Sequence, residues 1–223
     1  MLTSFGVAIA SNGRCAPLLR HLVERWVALG ARVAVAGGTK AVLAVLDLPH
    51  VDVVETSDVP QKQGDQIASA MEALDAKGIE FVLRCDDDVL PLGDGDDWVG
   101  RLILEPGTLR AIAMIDLLGR RWFDWAVRAK GATYRQPYDQ HLPGTFVTGA
   151  AQLWSREARR LVSYRGRAFR TGADARVCEE AERAGIKLCP PSSGGPVLVH
   201  LDRTPDFIRD VPSESRTGTG FEL

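Results

Sequence analysis

"EFVLRCDDDVLP", residues 80–91, sets three acidic side chains in a row directly after an apolar run of strand length. Two unit charges about 4 Å apart repel by about 1 kcal/mol in water, and by several times more where solvent is partly excluded. A chain that keeps such a triplet needs a bound cation or a water-filled turn to relieve it. Both readings stay open on this stretch alone. Carboxylates suit Mg2+ or Mn2+, which take one or two protein ligands and complete their shell with substrate phosphates and water, and a solvated acidic turn is equally ordinary chemistry.

Working outward, strand-length apolar runs alternate with helical periodicity. "FGVAIA" (5–10) ends at the turn signal "SNGR", and Leu19, Leu22, Val23 and Trp26 then recur at helical spacing up to Gly30. "ARVAVAGG" (31–38) and "HVDVVET" (50–56) read as further strands. Ile67, Met71 and Leu74 mark a helix face that Gly78 closes before "IEFVLR" (79–84). Such alternation predicts an α/β fold, a mostly parallel central sheet flanked by helices. Ligands of such sheets bind beyond the carboxyl ends of the strands, and Asp86, Asp87 and Asp88, Ser11 to Arg14, and Gly37–Gly38 all stand at such ends.

Further on the pattern is weaker. "TLRAIAMIDLLG" (108–119) suits a helix or a strand, and the region from Trp98 to about Pro143 reads as an elaboration on the sheet. "GTFVTGAAQLWSREARRLV" (144–162) predicts a strand, a close approach at Gly149 and a helix from about Arg156. "GADARVCEEAERAG" (172–185) predicts a helix with Val177, Ala181 and Ala184 on one face, and "IKLC" and "PVLVHLD" (196–202) two late strands.

The 223 residues, 45% of them hydrophobic, suit a single domain over residues 1–212 with a loosely ordered tail at 213–223. With no basic leader and no run of about 18 apolar residues, the expectation is a cytoplasmic protein with no transmembrane segment. Cys15, Cys85, Cys178 and Cys189 show no paired spacing, which points to reduced thiols. The net charge of −2 hides an asymmetry: residues 101–170 hold 13 Lys and Arg against 5 Asp and Glu. That basic island, and within it "GRRWFDWAVRAKGATYRQPYDQH" (119–141), mixes cations with Trp122, Phe123, Trp125, Tyr134 and Tyr138. It suits an anionic partner, or else a solvated face over packed aromatics.

Together these stretches resemble the GT-A glycosyltransferases, nucleotide-sugar-dependent enzymes with one Rossmann-like domain. "FVLRCDDDVLP" is similar to their strand and Asp-x-Asp motif, "VAIASNGRCAPLLRHLVERW" (7–26) to their opening strand, turn and helix, and "FVTGAAQLWSREARRLV" (146–162) to the strand and glycine turn near the acceptor. "TGADARVCEEAERAGIKL" (171–188) is similar to the late acidic helix start, with Ala173 where the family usually has Glu. The resemblance covers roughly residues 5–200 and is closest to the large inverting family of the fold.

It implies a nucleotide-sugar-binding half at 1–97 and an acceptor-binding half at 98–212. It further implies a hexosyl transfer from a nucleoside diphosphate sugar, UDP-sugar favoured, to an acceptor hydroxyl. Donor contacts would come from Ser11, Arg14, Gly37, Asp86, Asp87 and Asp88, and acceptor contacts from Gly149, Trp122 and Trp125. Mn2+ or Mg2+ would sit on Asp88 and His200, with Asp202 as substitute for the histidine. Asp174 would be the general base, although an Asp at a helix start is also an ordinary N-cap.

The usual acidic residue after an early strand is absent at "VAVAGGTK", which leaves base recognition to backbone near Gly37–Thr39 or to Asp58. "GGTK" lacks the spacing of a phosphate loop. The acceptor is open, with an anionic one (nucleic acid, or a phosphate-bearing glycan or lipid) suggested by the island, and a DNA-modifying enzyme acting on a hydroxylated base as a variant of the reading. Two other classes stand beside it: a nucleotidyltransferase, whose glycine-rich turn "SNGRCAP" does not match, and a non-catalytic nucleotide- or glycan-binding relative.

Overall fold

The apolar run before the acidic triplet forms the central strand of a seven-stranded sheet. In the computed structural model, which describes residues 5–56, 63–93, 97–129, 132–167, 173–202 and 209–210, the chain begins with β1 (Phe5–Ser11), α1 (Ala16–Ala28), β2 (Arg32–Gly37), α2 (Thr39–Val45) and β3 (Val51–Glu55). It continues through α3 (Gln63–Ala76), β4 (Phe81–Cys85), β5 (Val89–Pro91), α4 (Asp97–Gly100), β6 (Thr108–Ala111) and β7 (Ala113–Asp116). After these come β8 (Trp125–Ala129), β9 (Ala132–Arg135), β10 (Thr145–Val147), β11 (Ala151–Ser155) and α5 (Arg156–Leu161). The chain closes with α6 (Ala173–Arg183), β12 (Lys187–Cys189), β13 (Val197–His200) and β14 (Arg209–Asp210). The expected tail at 213–223 and Asp58 lie outside the described residues.

The large sheet has the order β12-β6-β11-β4-β1-β2-β3. Its pairs are parallel except where β11 runs antiparallel to β4 and β6. The fold is therefore the expected α/β architecture, with both halves of the chain contributing strands to one sheet. Helical spacing of Leu19, Leu22, Val23 and Trp26 buries one face of α1 against this sheet, each such side chain stabilising by about 1.5–3 kcal/mol. Every residue of β4 is buried.

Two smaller sheets were only partly legible. "TLRAIAMIDLLG" resolves as two strands, β6 in the large sheet and β7 in a three-stranded sheet of order β5-β13-β7. The basic island folds as the β8–β9 hairpin within a four-stranded sheet, order β10-β8-β9-β14. In α6 the buried residues are Ala173, Val177, Cys178 and Ala181, while Ala184 is exposed, because the helix ends at Arg183 and position 184 falls in the turn beyond it. The four cysteines are unpaired. No helix among the described residues is long and apolar enough to cross a membrane.

Candidate active site

The small sheet places the metal-ligand candidates. β13 runs antiparallel to β5 with His200 opposite Val89, and parallel to β7 with His200 opposite Asp116. The Leu201 amide donates to the Asp88 carbonyl at 2.9 Å, and the Asp86 amide to the Ala150 carbonyl at 3.0 Å. Backbone pairing thus clamps the acidic turn from both sides, and oxygen or nitrogen atoms of Asp86, Asp88 and His200 all fall within 4.8 Å of one another. His200 Nε2 lies 3.6 Å from Asp88 Oδ1.

Asp88 Oδ1 is buried and accepts no hydrogen bond. Burial, and next the charges of Asp86, Asp87 and Asp202, push the Asp88 carboxyl up to about 7. Burial also holds the His200 imidazole below its ordinary value. A carboxylate this poorly satisfied, beside a neutral imidazole and a second carboxylate, fits a hard divalent cation that would replace the missing positive charge. His200 Nδ1 accepts the Asp202 amide at 3.1 Å, which leaves the ring proton on Nε2. A cation on Nε2 needs that proton moved to Nδ1 and the contact released. Trp122 fixes the ring plane by stacking on it, centroids 3.9 Å apart and 11° from parallel.

Beside this cluster lies a cavity of about 240 Å³, its wall including Arg84, Asp86, Trp122, Gly149, Asp174 and His200. Asp174 stands in the first turn of α6, one position inside the helix instead of capping it. The residue is half-buried, but its Oδ1 is buried and accepts no hydrogen bond. Burial raises its pKa; the Arg84 guanidinium, and after it the Gly149 amide, act to lower it. Gly149 owes its identity to this carboxylate, which a Cβ would overlap. Trp122 and Phe123 stack on each other at the rim, 5.0 Å between centroids.

Arg84 is the residue that periodicity could not assign. It sits on the fully buried β4, and its Nη2 pairs with Asp86 Oδ1 at 2.8 Å. The signal was present as one cation inside the apolar run "FVLRC", a placement that burial alone disfavours. Thr148 and Gln63 also line the cavity.

The remaining expected site residues lie outside the cavity wall. Trp125 is fully buried in the core with its Nε1 donating to the Gln140 carbonyl at 2.8 Å, so it presents no face to the cavity. Asp87 and Ser11 bind each other, Asp87 Oδ2 accepting from Ser11 Oγ at 2.5 Å. Gly37 is needed for packing, since a Cβ there would overlap the Ser11 carbonyl. Arg14 is exposed on the turn after β1. Asp202 is exposed and outside the three-residue cluster.

The island's arginines are largely matched inside the chain. Arg120 pairs with Asp116 at 2.8 Å, Arg121 with Asp124 at 3.0 Å and Arg135 with Asp210 at 2.8 Å. Asp124 also accepts from the amides of Met114 and Trp125 and from Tyr138 Oη, at 2.7–2.9 Å. This network is a structural reason for the island's composition, independent of any anionic partner.

No family model and no curated protein matches the sequence. Among solved structures, the inositol-1-phosphate CTP transferase from T. maritima is similar over 99% of this chain and 99% of its own, with a TM-score of 0.52 and 12% identity. A protein described as a glucose-1-phosphate thymidylyltransferase from Bacillus anthracis matches with a TM-score of 0.49 and 12% identity, over 88% of this chain and 89% of that one. A197 from STIV matches with a TM-score of 0.46 and 12% identity, over 89% and 82%. At such identity the likeness concerns architecture alone, the Rossmann-like α/β fold of a mostly parallel sheet flanked by helices.

Proposed function

We propose that this chain is a divalent-metal-dependent transferase acting on a nucleotide-activated donor, and that it passes a sugar from a nucleoside diphosphate sugar to an acceptor hydroxyl with inversion. The observation that carries the reading is the meeting of Asp86, Asp88 and His200 within 4.8 Å, against the cavity whose wall also holds Asp174. In this reading Asp88 and His200 hold Mn2+ or Mg2+, which when bound supplies Lewis-acid neutralisation of the departing diphosphate. Asp86, one oxygen held by Arg84, offers the other toward the donor. Asp174 takes the proton from the acceptor hydroxyl as that oxygen bonds to the anomeric carbon and the bond to the diphosphate breaks. Burial raises its pKa and so strengthens it as a base, while the Arg84 guanidinium and the Gly149 amide oppose that rise. The half-buried Phe123, backed by the buried Trp122, offers a ring face to a sugar.

Likeness along the whole chain to the CTP transferase favours a second reading, nucleotidyl transfer. The same carboxylates would then serve a nucleoside triphosphate, and pyrophosphate would leave. An anionic acceptor draws little support from the island, where Arg120, Arg121 and Arg135 are paired within the chain.

Thermal-shift titration with UDP-, GDP-, CDP- and dTDP-sugars and with nucleoside triphosphates, each with and without Mn2+, tests both. A ligand at a hundred times its dissociation constant adds about 2.7 kcal/mol of stability. A Mn2+-dependent shift with a diphosphate sugar, followed by release of nucleoside diphosphate, is the expected result. A shift restricted to a triphosphate with pyrophosphate release moves the conclusion to the second reading, and no shift with any of them leaves a non-catalytic relative.

A further inference from the structure

The acidic triplet is divided between two tasks. Asp86 and Asp88 gather with His200, whereas Asp87 reaches the end of β1, 76 residues away in sequence, and its Oδ2 accepts the Ser11 hydroxyl at 2.5 Å. Ser11 Oγ in turn accepts the Gly13 amide at 3.0 Å, and Asn12 Oδ1 accepts the Arg14 amide at 2.9 Å. These bonds close the turn 11–14 on itself. Gly13 sits at φ 68°, where a Cβ would lie 2.7 Å from both the Ala41 nitrogen and Lys40 Cβ, so the turn is also seated on the start of α2. The Ser11 carbonyl meets Gly37 at the end of β2 with no room for a side chain.

The turn is thus held at once from the acidic turn after β4, from α2 and from β2. Ser11 is 3% exposed and its only hydroxyl proton goes to Asp87, so it has no donor left for a ligand. Asn12 and Arg14, by contrast, are exposed beside it.

We infer that Asp87 and Ser11 are positioning residues: their hydrogen bond locks the turn 11–14 at a fixed offset from the metal-binding pair Asp86 and Asp88, so that Asn12 and Arg14 meet the nucleotide part of the donor. The inference rests on the nucleotide-donor reading above. It replaces direct donor contact by Asp87 and Ser11 with a tether between the two parts of the donor site.

The test uses Ser11→Ala, Asp87→Ala and Asp87→Asn. The probes are Mn2+ alone, then UDP, GDP and CDP at saturating Mn2+, by titration calorimetry, together with amide hydrogen exchange at Gly13 and Arg14. Ser11→Ala removes the tether without changing charge. It is expected to leave Mn2+ affinity within about two-fold, to speed exchange of both amides, and to weaken binding of the preferred diphosphate by about ten-fold, the effect of one lost hydrogen bond to a charged group. Asp87→Ala should do the same to the nucleotide, and Asp87→Asn, which keeps an acceptor oxygen, should restore most of it. Unchanged exchange at Gly13 and Arg14 in Ser11→Ala would show that the tether does not hold the turn. Faster exchange with undiminished nucleotide affinity would show that the turn's position is irrelevant to binding; either result overturns the inference and leaves the proposed function standing. If the unmodified protein binds none of the diphosphates with Mn2+, both fall together.

Discussion

The acidic turn at 86–88 and the basic island at 119–141 both stood out by charge in the sequence, and the fold treats them in opposite ways. Arg120, Arg121 and Arg135 of the island are paired with Asp116, Asp124 and Asp210, and Asp124 collects backbone amides and a tyrosine hydroxyl besides. In the turn, Asp88 keeps a buried oxygen with no hydrogen bond and a pKa pushed up to about 7. Charge density in a sequence therefore says little by itself. What separates the two clusters is whether the fold pairs their carboxylates.

That contrast can be broken most forcefully at Asp174. Asp174→Asn keeps the shape and removes the base, so turnover should fall about 10²–10⁴-fold while Mn2+-dependent nucleotide binding stays nearly intact. Retained turnover would make Asp174 part of the helix architecture, like the island's carboxylates. Asp124→Ala should do the reverse, leaving Arg121 without its buried partner and lowering stability by about 3–5 kcal/mol in chemical denaturation. A loss well below that would mean the island is not the completed network its geometry indicates.

Asp88 sharpens the comparison through pH. Its folded-state pKa is raised above the unfolded value, so its stabilising contribution is fully present below about 4 and is lost as pH rises through about 7. With a chelator present, the melting temperature should climb as pH falls from about 8 toward 5, and Asp88→Asn should flatten that rise while abolishing Mn2+ binding. An unaltered pH profile in the variant would remove Asp88 as its source. The smallest effect belongs to Arg135→Gln on the rim of the island. Asp210, its partner, is largely exposed, and loss of such a pair costs about 1 kcal/mol or less with no change in Mn2+ binding.

Much of the architecture was legible because it is written in local periods. The run 5–10, the helical spacing of Leu19 to Trp26 and the strand before the acidic triplet each bury one face or two, and those patterns survive in β1, α1 and β4. The region 108–141 was not, because its strands are short and the burial along β8 does not alternate, so period-two reading had nothing to count.

By itself the sequence determined an α/β chain with carboxylates at a strand end and a carboxylate at a late helix start, since both follow from side-chain periodicity and turn chemistry within a few residues. Only the tertiary structure decided the partners. Antiparallel pairing of β13 with β5 put His200 beside Asp88, closure of β1 against β4 gave Asp87 to Ser11, and packing sent Trp125 into the core while Trp122 lined the cavity. These are contacts between segments far apart in the chain, set by sheet register and by which face each strand buries, and no local pattern of residues encodes a register.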